Sequence, residues 1–178
     1  MAEHSKKERR AYLNDFHSDD SGTYSYQGAY YVLQGDSKRI RREMAELWGS
    51  CAVLAGVTIA NGYIPAPGMG NCFYVLLPYL VQLLAAVSAG LAVFRMGTGR
   101  KPLREYVYQA SVLKLPFRFG LAAVGAGVTF GGEGIYLMIH GADDQAGFAV
   151  LFLLLEAAAL VSAVIAYRGV FRMKWTVK

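Results

Sequence analysis

Four apolar stretches, at about residues 47–64, 72–94, 119–140 and 147–167, interrupt an otherwise polar chain. Each is near the roughly 20 residues that a helix needs to cross a bilayer core. The pattern predicts an all-α integral membrane protein, a four-transmembrane-helix bundle occupying residues 47–170. Trp48 and Tyr63 flank the first stretch as interfacial anchors. Pro65, Pro67, Gly68 and Gly70 then make a short uncharged outer turn. Pro78, two turns into the second stretch, is expected to kink or loosen its helix.

The polar segments carry patterns of their own. Residues 1–46 form a cytoplasmic N-terminal segment, too short and too poor in aliphatics to bury a sizeable core. Within it, Thr23 to Val32 is rich in strand formers and is broken once, at Gln27 and Gly28, which predicts a β-hairpin over residues 22–35. The alternative is a locally ordered tail. Asp36 and Ser37 are suitable caps, and Ile40, Met44 and Leu47 recur at helical spacing, so a basic helix over 37–46 is expected to run on into the first span. Between spans two and three, Pro102 can start a helix on which Leu103, Tyr106, Val107, Ala110 and Leu113 share a face. That predicts an interfacial helix on the inner leaflet, or else an extension of a neighbouring span, with Pro116 breaking the pattern. Residues 171–178 are a basic tail.

Charge orients these elements. All 18 Lys and Arg residues lie in the N-terminal, middle and C-terminal segments, and the two outer turns have none. By the positive-inside rule both termini face the cytoplasm, in a multi-pass protein of the cell membrane. Lys38, Arg39, Arg41, Arg42, Arg100, Lys101 and Arg104 are expected to touch anionic lipid headgroups. The net charge of +5 does not point to nucleic acid, because the basic residues flank apolar spans rather than interleave with aromatics. With 54% hydrophobic and 17% charged residues the composition is that of a membrane protein. Nothing before Leu47 resembles a secretory signal, so the first span is expected to target the chain and be kept. Cys51 and Cys72 fall near opposite ends of the first two spans, about 20 Å or more apart, too far for a disulfide.

Candidate chemistry is confined to the spans. Glu133 and Glu156 are costly there and by default face protein or water. Counted from the outer ends of their spans, Glu133, Glu156 and Gln82 lie about 10, 13 and 15 Å deep, one layer contributed by three helices. Thr129, Glu133, Tyr136 and His140 share a stripe of the third span, and Glu156 shares its face with Ala159 and Ala163. These residues form the candidate polar site, a seam in the outer half of the membrane. Small-residue spacing recurs at Ala123, Gly127 and Gly131 and at Ala52, Gly56 and Ala60, where close helix packing is expected. His140 with Asp143 and Asp144, like His17 with Asp19 and Asp20, is expected to be solvated rather than metal-binding.

No catalytic triad, nucleophile elbow, phosphate loop or zinc-protease motif occurs, and no cofactor or metal is implied. The expected function is that of a non-enzymatic subunit or accessory protein, acting through helix packing and a docked protein partner or second copy. The alternative is a small oligomeric transporter or channel that uses Glu133 and Glu156 for proton or cation coupling.

Overall fold

The computed structural model describes residues 16–18, 24–26, 28–99, 101–141 and 145–178. Helix α1 (Ser37–Asn61) starts where Asp36 Oδ1 accepts the Ser37 N–H at 2.7 Å, and it carries the basic stretch and the first apolar stretch without a break. A short helix α2 (Pro67–Asn71) occupies the turn after α1 and leads into α3 (Phe73–Met96). After α3 the chain turns through Gly97 and Gly99, at φ 62° and 68°, a region that glycine enters at little cost. A six-residue helix α4 (Glu105–Ala110) and a 3-10 turn (Val112–Lys114) then precede α5 (Leu115–His140) and α6 (Ala146–Arg172). Among the described residues, four helical stretches are long and apolar enough to cross a membrane: Ser37–Asn61, Phe73–Met96, Glu105–His140 and Ala146–Arg172.

The four long helices close a ring in which α1 and α5 each lie beside α3 and α6. Their buried positions explain why. On α1 they are Met44, Leu47, Cys51, Leu54, Thr58 and Asn61, alternating by three and four residues. On α6, Ala149, Phe152, Glu156, Ala159, Ala163, Ala166 and Val170 do the same. A mean period of 3.5 keeps one stripe facing its neighbours, as in left-handed bundles. The outward faces are apolar too: Leu84, Phe94 and Met138 are 70%, 72% and 87% exposed. A surface of this kind suits hydrocarbon rather than water.

Close approach of α3 and α5 depends on glycines other than those the spacing suggested. A Cβ on Gly125 would lie 2.9 Å from Gln82 Cβ and 3.1 Å from the Pro78 carbonyl oxygen. A Cβ on Gly132 would lie 3.3 Å from the Tyr74 carbonyl oxygen, which Pro78 leaves without its helical donor. By contrast, Gly127, Gly131 and Gly56 meet no atom at that range, and Ala52, Gly56 and Ala60 face outward. Three- and four-residue spacing selects the true contact stripe, whereas a strict four-residue count drifts off it.

The expected hairpin over 22–35 is not formed. Strand β2 (Tyr24–Tyr26) pairs antiparallel with β1 (Phe16–Ser18), while β3 (Tyr30–Leu33) pairs on one side with β4 (Leu103–Arg104) and on the other with β5 (Trp175–Val177). Both strand-forming runs are strands, but each finds a partner elsewhere. An isolated two-stranded hairpin is marginal, and a third strand with an aromatic cluster improves on it. Tyr31 stacks on Tyr108 with ring centroids 4.0 Å apart, and Tyr108 meets Trp175 edge-on at 5.7 Å. The same sheet shortens the expected interfacial helix. Leu103 and Arg104 are strand residues opposite Tyr31 and Tyr30, so the helix begins at Glu105 rather than Pro102. Its expected apolar face is divided, with Leu103 8% and Leu113 58% exposed. Pro116 opens α5 instead of ending a helix, at a first-turn position where its missing N–H costs nothing.

Candidate functional site

Polar groups on the seams of the bundle are the only ones besides Ser111 that are fully buried among the described residues: Thr58, Asn61, Gln82, Thr129, Glu133 and Glu156 are each 0% exposed. No Lys or Arg joins them. Each acid must therefore draw its partners from neutral groups, because a buried polar atom left alone costs about 1–3 kcal/mol, and more if charged.

Around Glu156 three helices converge. Asn61 Nδ2 on α1 donates to Glu156 Oε1 at 2.9 Å and lies 3.5 Å from the Phe152 carbonyl oxygen. Gln82 Nε2 on α3 donates to Thr58 Oγ1 at 3.1 Å, and the Gln82 amide also neighbours the Glu156 carboxyl. Tyr79 completes the group from one turn away, its hydroxyl donating to the Thr58 carbonyl at 2.7 Å. Ala159 and Ala163 are buried on the Glu156 face of α6. Glu156 Oε2, Asn61 Oδ1 and Gln82 Oε1 receive no hydrogen bond. The cluster is thus rich in acceptors and short of a donor. One proton on the carboxyl would supply a single donor, and one small cation among the oxygens could serve several of them.

Glu133 belongs to a different group. Its Oε1 accepts the Gly68 N–H at 3.1 Å, and the Met69 N–H is directed at the same carboxyl. These are first-turn donors of α2, which have no partner within their own helix. The turn between α1 and α3 therefore packs onto α5 with Glu133 as its anchor. A Cβ on Gly68 would collide with the carboxyl and lie 3.1 Å from Tyr136 Cβ, so only glycine admits this approach. Asn71 Nδ2 lies 3.5 Å from the Tyr136 hydroxyl and ties the other end of α2 to the same helix.

The expected single layer of Gln82, Glu133 and Glu156 is corrected by this geometry. Gln82 lies level with Gly125, and Glu133 is eight residues farther along α5, about 12 Å. Gln82 and Glu156 share a centre, and Glu133 sits against α2. A count along each helix alone leaves out α2, which docks onto α5 beside Glu133. Thr129 is buried on the α5 seam with its hydroxyl unpartnered. Tyr136 is half-buried and stacks at 4.5 Å on His140, which is exposed at the end of α5 and joins neither cluster. Asp143 and Asp144, the expected neighbours of His140, lie outside the described residues, as does Arg100. Of the expected headgroup contacts, Lys38, Arg39, Arg41, Arg42, Lys101 and Arg104 are exposed, and Arg39 is paired with Glu43 at 2.7 Å.

Thr58 and Asn61 are the site residues that the sequence reading missed. The signal was present: they continue the Met44, Leu47, Cys51, Leu54 progression by four and then three residues.

These contacts make different substitutions unequal. Asn61→Ala strands Glu156 Oε1 and is expected to cost about 1–3 kcal/mol. Gly68→Ala, which overpacks Glu133, is expected to cost a similar amount, whereas Gly134→Ala, with open space at its Cβ, leaves stability unchanged. Thermal unfolding of the three variants in mild detergent checks the order; equal midpoints for Gly68→Ala and Gly134→Ala would refute the anchoring role of Glu133. The chain matches no protein-family model, no curated protein and no solved structure, so its functional reading rests on this geometry.

Proposed function

We propose that this chain is a multi-pass protein of the cell membrane, with both termini cytoplasmic, that works as a non-enzymatic subunit or accessory protein through helix packing and partner docking. Two features support the orientation. The three segments that hold every Lys and Arg meet in the β4-β3-β5 sheet, at one end of the bundle. The positive-inside rule assigns that end to the cytoplasm. At the same end Trp48 Nε1 donates to the Gly97 carbonyl at 3.1 Å, as an interfacial anchor would.

The observation that carries the docking role is the free edge of β5. Gln34 N donates to Lys174 O and Lys178 N to Tyr30 O, both at 2.8 Å, which turns the backbone of Trp175 and Val177 away from β3. Among the described residues no strand covers that edge. A short open edge with an aromatic beside it is a template for strand addition by a partner. The outward stripe of Ala52, Gly56 and Ala60 offers the same partner, or a second copy, a face for close helix packing.

A second reading, a small oligomeric transporter or channel, is favoured by the donor-poor centre at Glu156. For proton or cation coupling it uses Glu156, whose unpartnered oxygen belongs to one cluster with those of Asn61 and Gln82, rather than Glu133, whose Oε1 is held by α2 while Oε2 lacks a donor.

Three measurements separate these ideas. In sealed cells, a membrane-impermeant thiol reagent is expected to label Tyr63→Cys from outside and Lys178→Cys only after lysis, in a background with both native cysteines replaced by serine; the reverse pattern overturns the orientation. Complexes extracted in mild detergent and sized by light scattering are expected to exceed the 19.4 kDa of one chain. Val177→Pro blocks only the outward N–H, so it should dissolve the complex without lowering the unfolding midpoint; a wild-type monomer, or a complex indifferent to this proline, removes the docking role. For the second reading, Glu156→Gln should lower proton or sodium flux into vesicles at least about tenfold, a loss of roughly 1.4 kcal/mol in coupling, with Glu133→Gln close to wild type. Flux equal in wild type and Glu156→Gln rejects it.

A further inference from the structure

A groove of about 800 Å³ runs between α3 and α5 at the sheet end of the bundle, with Lys114 and Arg118 at its head. Its walls include Leu84, Leu113 and Phe117, which are 70%, 58% and 72% exposed on the outer face of the helices. A smaller groove of about 380 Å³ lies on the other side of the same ridge, sharing Phe117 and Leu121 and closed by Tyr167. Two apolar channels thus straddle one ridge, and the larger has a basic corner at its head.

That corner is positively charged and unneutralised. Arg118 is pinned by its own donors, Nη1 to the Ser88 carbonyl at 3.0 Å and Nη2 to the Ala110 carbonyl at 3.3 Å. Those acceptors carry no formal charge. Arg95 lies close enough to act on Arg118 electrostatically, so a second cation faces it from the end of α3, and Lys114 adds a third. Among the described residues no carboxylate pairs with any of the three. A guanidinium held by two carbonyls keeps other N–H edges for an external anion, and arginine suits phosphate in particular.

We infer that this corner and its two grooves form a site for one anionic phospholipid, with the phosphate on Lys114 and Arg118 and one acyl chain on each side of the Phe117 ridge. The occupant follows from the chemistry. A free phosphate would use the cations and leave both grooves empty, and a zwitterionic lipid would carry its own cation into a corner that already holds three. The inference rests on the proposed membrane orientation, which puts this corner in the cytoplasmic leaflet, where anionic headgroups attract basic residues. Failure of the thiol-labelling pattern would reverse the orientation without touching the binding measurement below, so the two can be told apart.

The test is intact-protein mass spectrometry from mild detergent, with phosphatidylglycerol and phosphatidylcholine of identical acyl chains and with inorganic phosphate. One phosphatidylglycerol is expected to be retained, at least about fivefold more tightly than phosphatidylcholine, the ratio that one charge near a surface supplies. Lys114→Gln is expected to remove most of that preference. Leu121→Trp, which fills both grooves and keeps every charge, is expected to weaken both lipids; it guards against Arg118 variants that fail to fold because two carbonyls lose their donor. Lys174→Gln with Lys178→Gln, on exposed charges beside β5, should leave the retained lipid in place. Equal retention of the two lipids overturns the inference, and so does displacement by millimolar phosphate or loss of binding in the β5 control.

Discussion

A carboxyl at the centre of an apolar helix bundle has no water to fall back on, and the arrangement of this protein follows from how Glu156 is served. Its partners come from across the ring: Asn61 from α1 donates directly, and Gln82 from α3 reaches the same centre while bonding Thr58. These bonds fix rotation as well as proximity. Turning α1 by one residue would carry Asn61 and Thr58 off the seam together, because they are spaced as the apolar residues before them are. Apolar side chains alone tolerate slippage; a buried polar group left unpaired does not. The polar cluster therefore specifies one register for a bundle whose apolar contacts would permit several.

Glycine supplies the other half of the arrangement. Gly125 and Gly132 let the backbone of α5 approach α3 at Gln82 and Tyr74, and Gly68 lets α2 approach Glu133. In each case the small residue faces a polar or backbone atom. Helix association in lipid draws little on the hydrophobic effect, so close packing and hydrogen bonds carry it. Here the two occur at the same places: the carboxyl that needs donors is approached by the helix start that has donors to spare.

The four spans and the charge asymmetry are legible in the sequence because both are properties of long segments. The prominence of Glu133 and Glu156 is legible too, since an acid among twenty apolar residues stands out. What joins them to other residues is harder to read. Gln82 and Glu133 seemed level because depth was counted along each helix alone, and the docking of residues 67–71 onto α5 is a tertiary event with no local pattern. Tyr30 to Leu33 announces a strand, yet its partners lie about 70 and 145 residues away at Leu103 and Trp175; β-propensity names the strand and not its neighbour. Asn61 lies inside the first apolar stretch, and the three-and-four alternation from Met44 to Leu54 leads onto it.

The sheet and the buried cluster are joined through two elements: β3 leads into α1, which carries Thr58 and Asn61, and α6 leads into β5. Helix α6 carries Glu156, ends at Arg172, and the chain enters β5 three residues later. From Glu156 to Arg172 is about 24 Å of continuous helix, and its far end is tied to α1 by the Arg172 to Glu46 ion pair at 3.6 Å. Exposed pairs of this kind contribute little stability, at most about 1 kcal/mol. The firmer tie is Trp175, which packs against Tyr108 beneath β3. On the docking reading, strand addition at the edge of β5 would load α6 directly and α1 through β3, and would leave α3 and α5 anchored through Gly125 and Gly132. The two helices it reaches are those joined by the hydrogen bond from Asn61 to Glu156, so a partner at the sheet would bear on the central polar contact of the bundle.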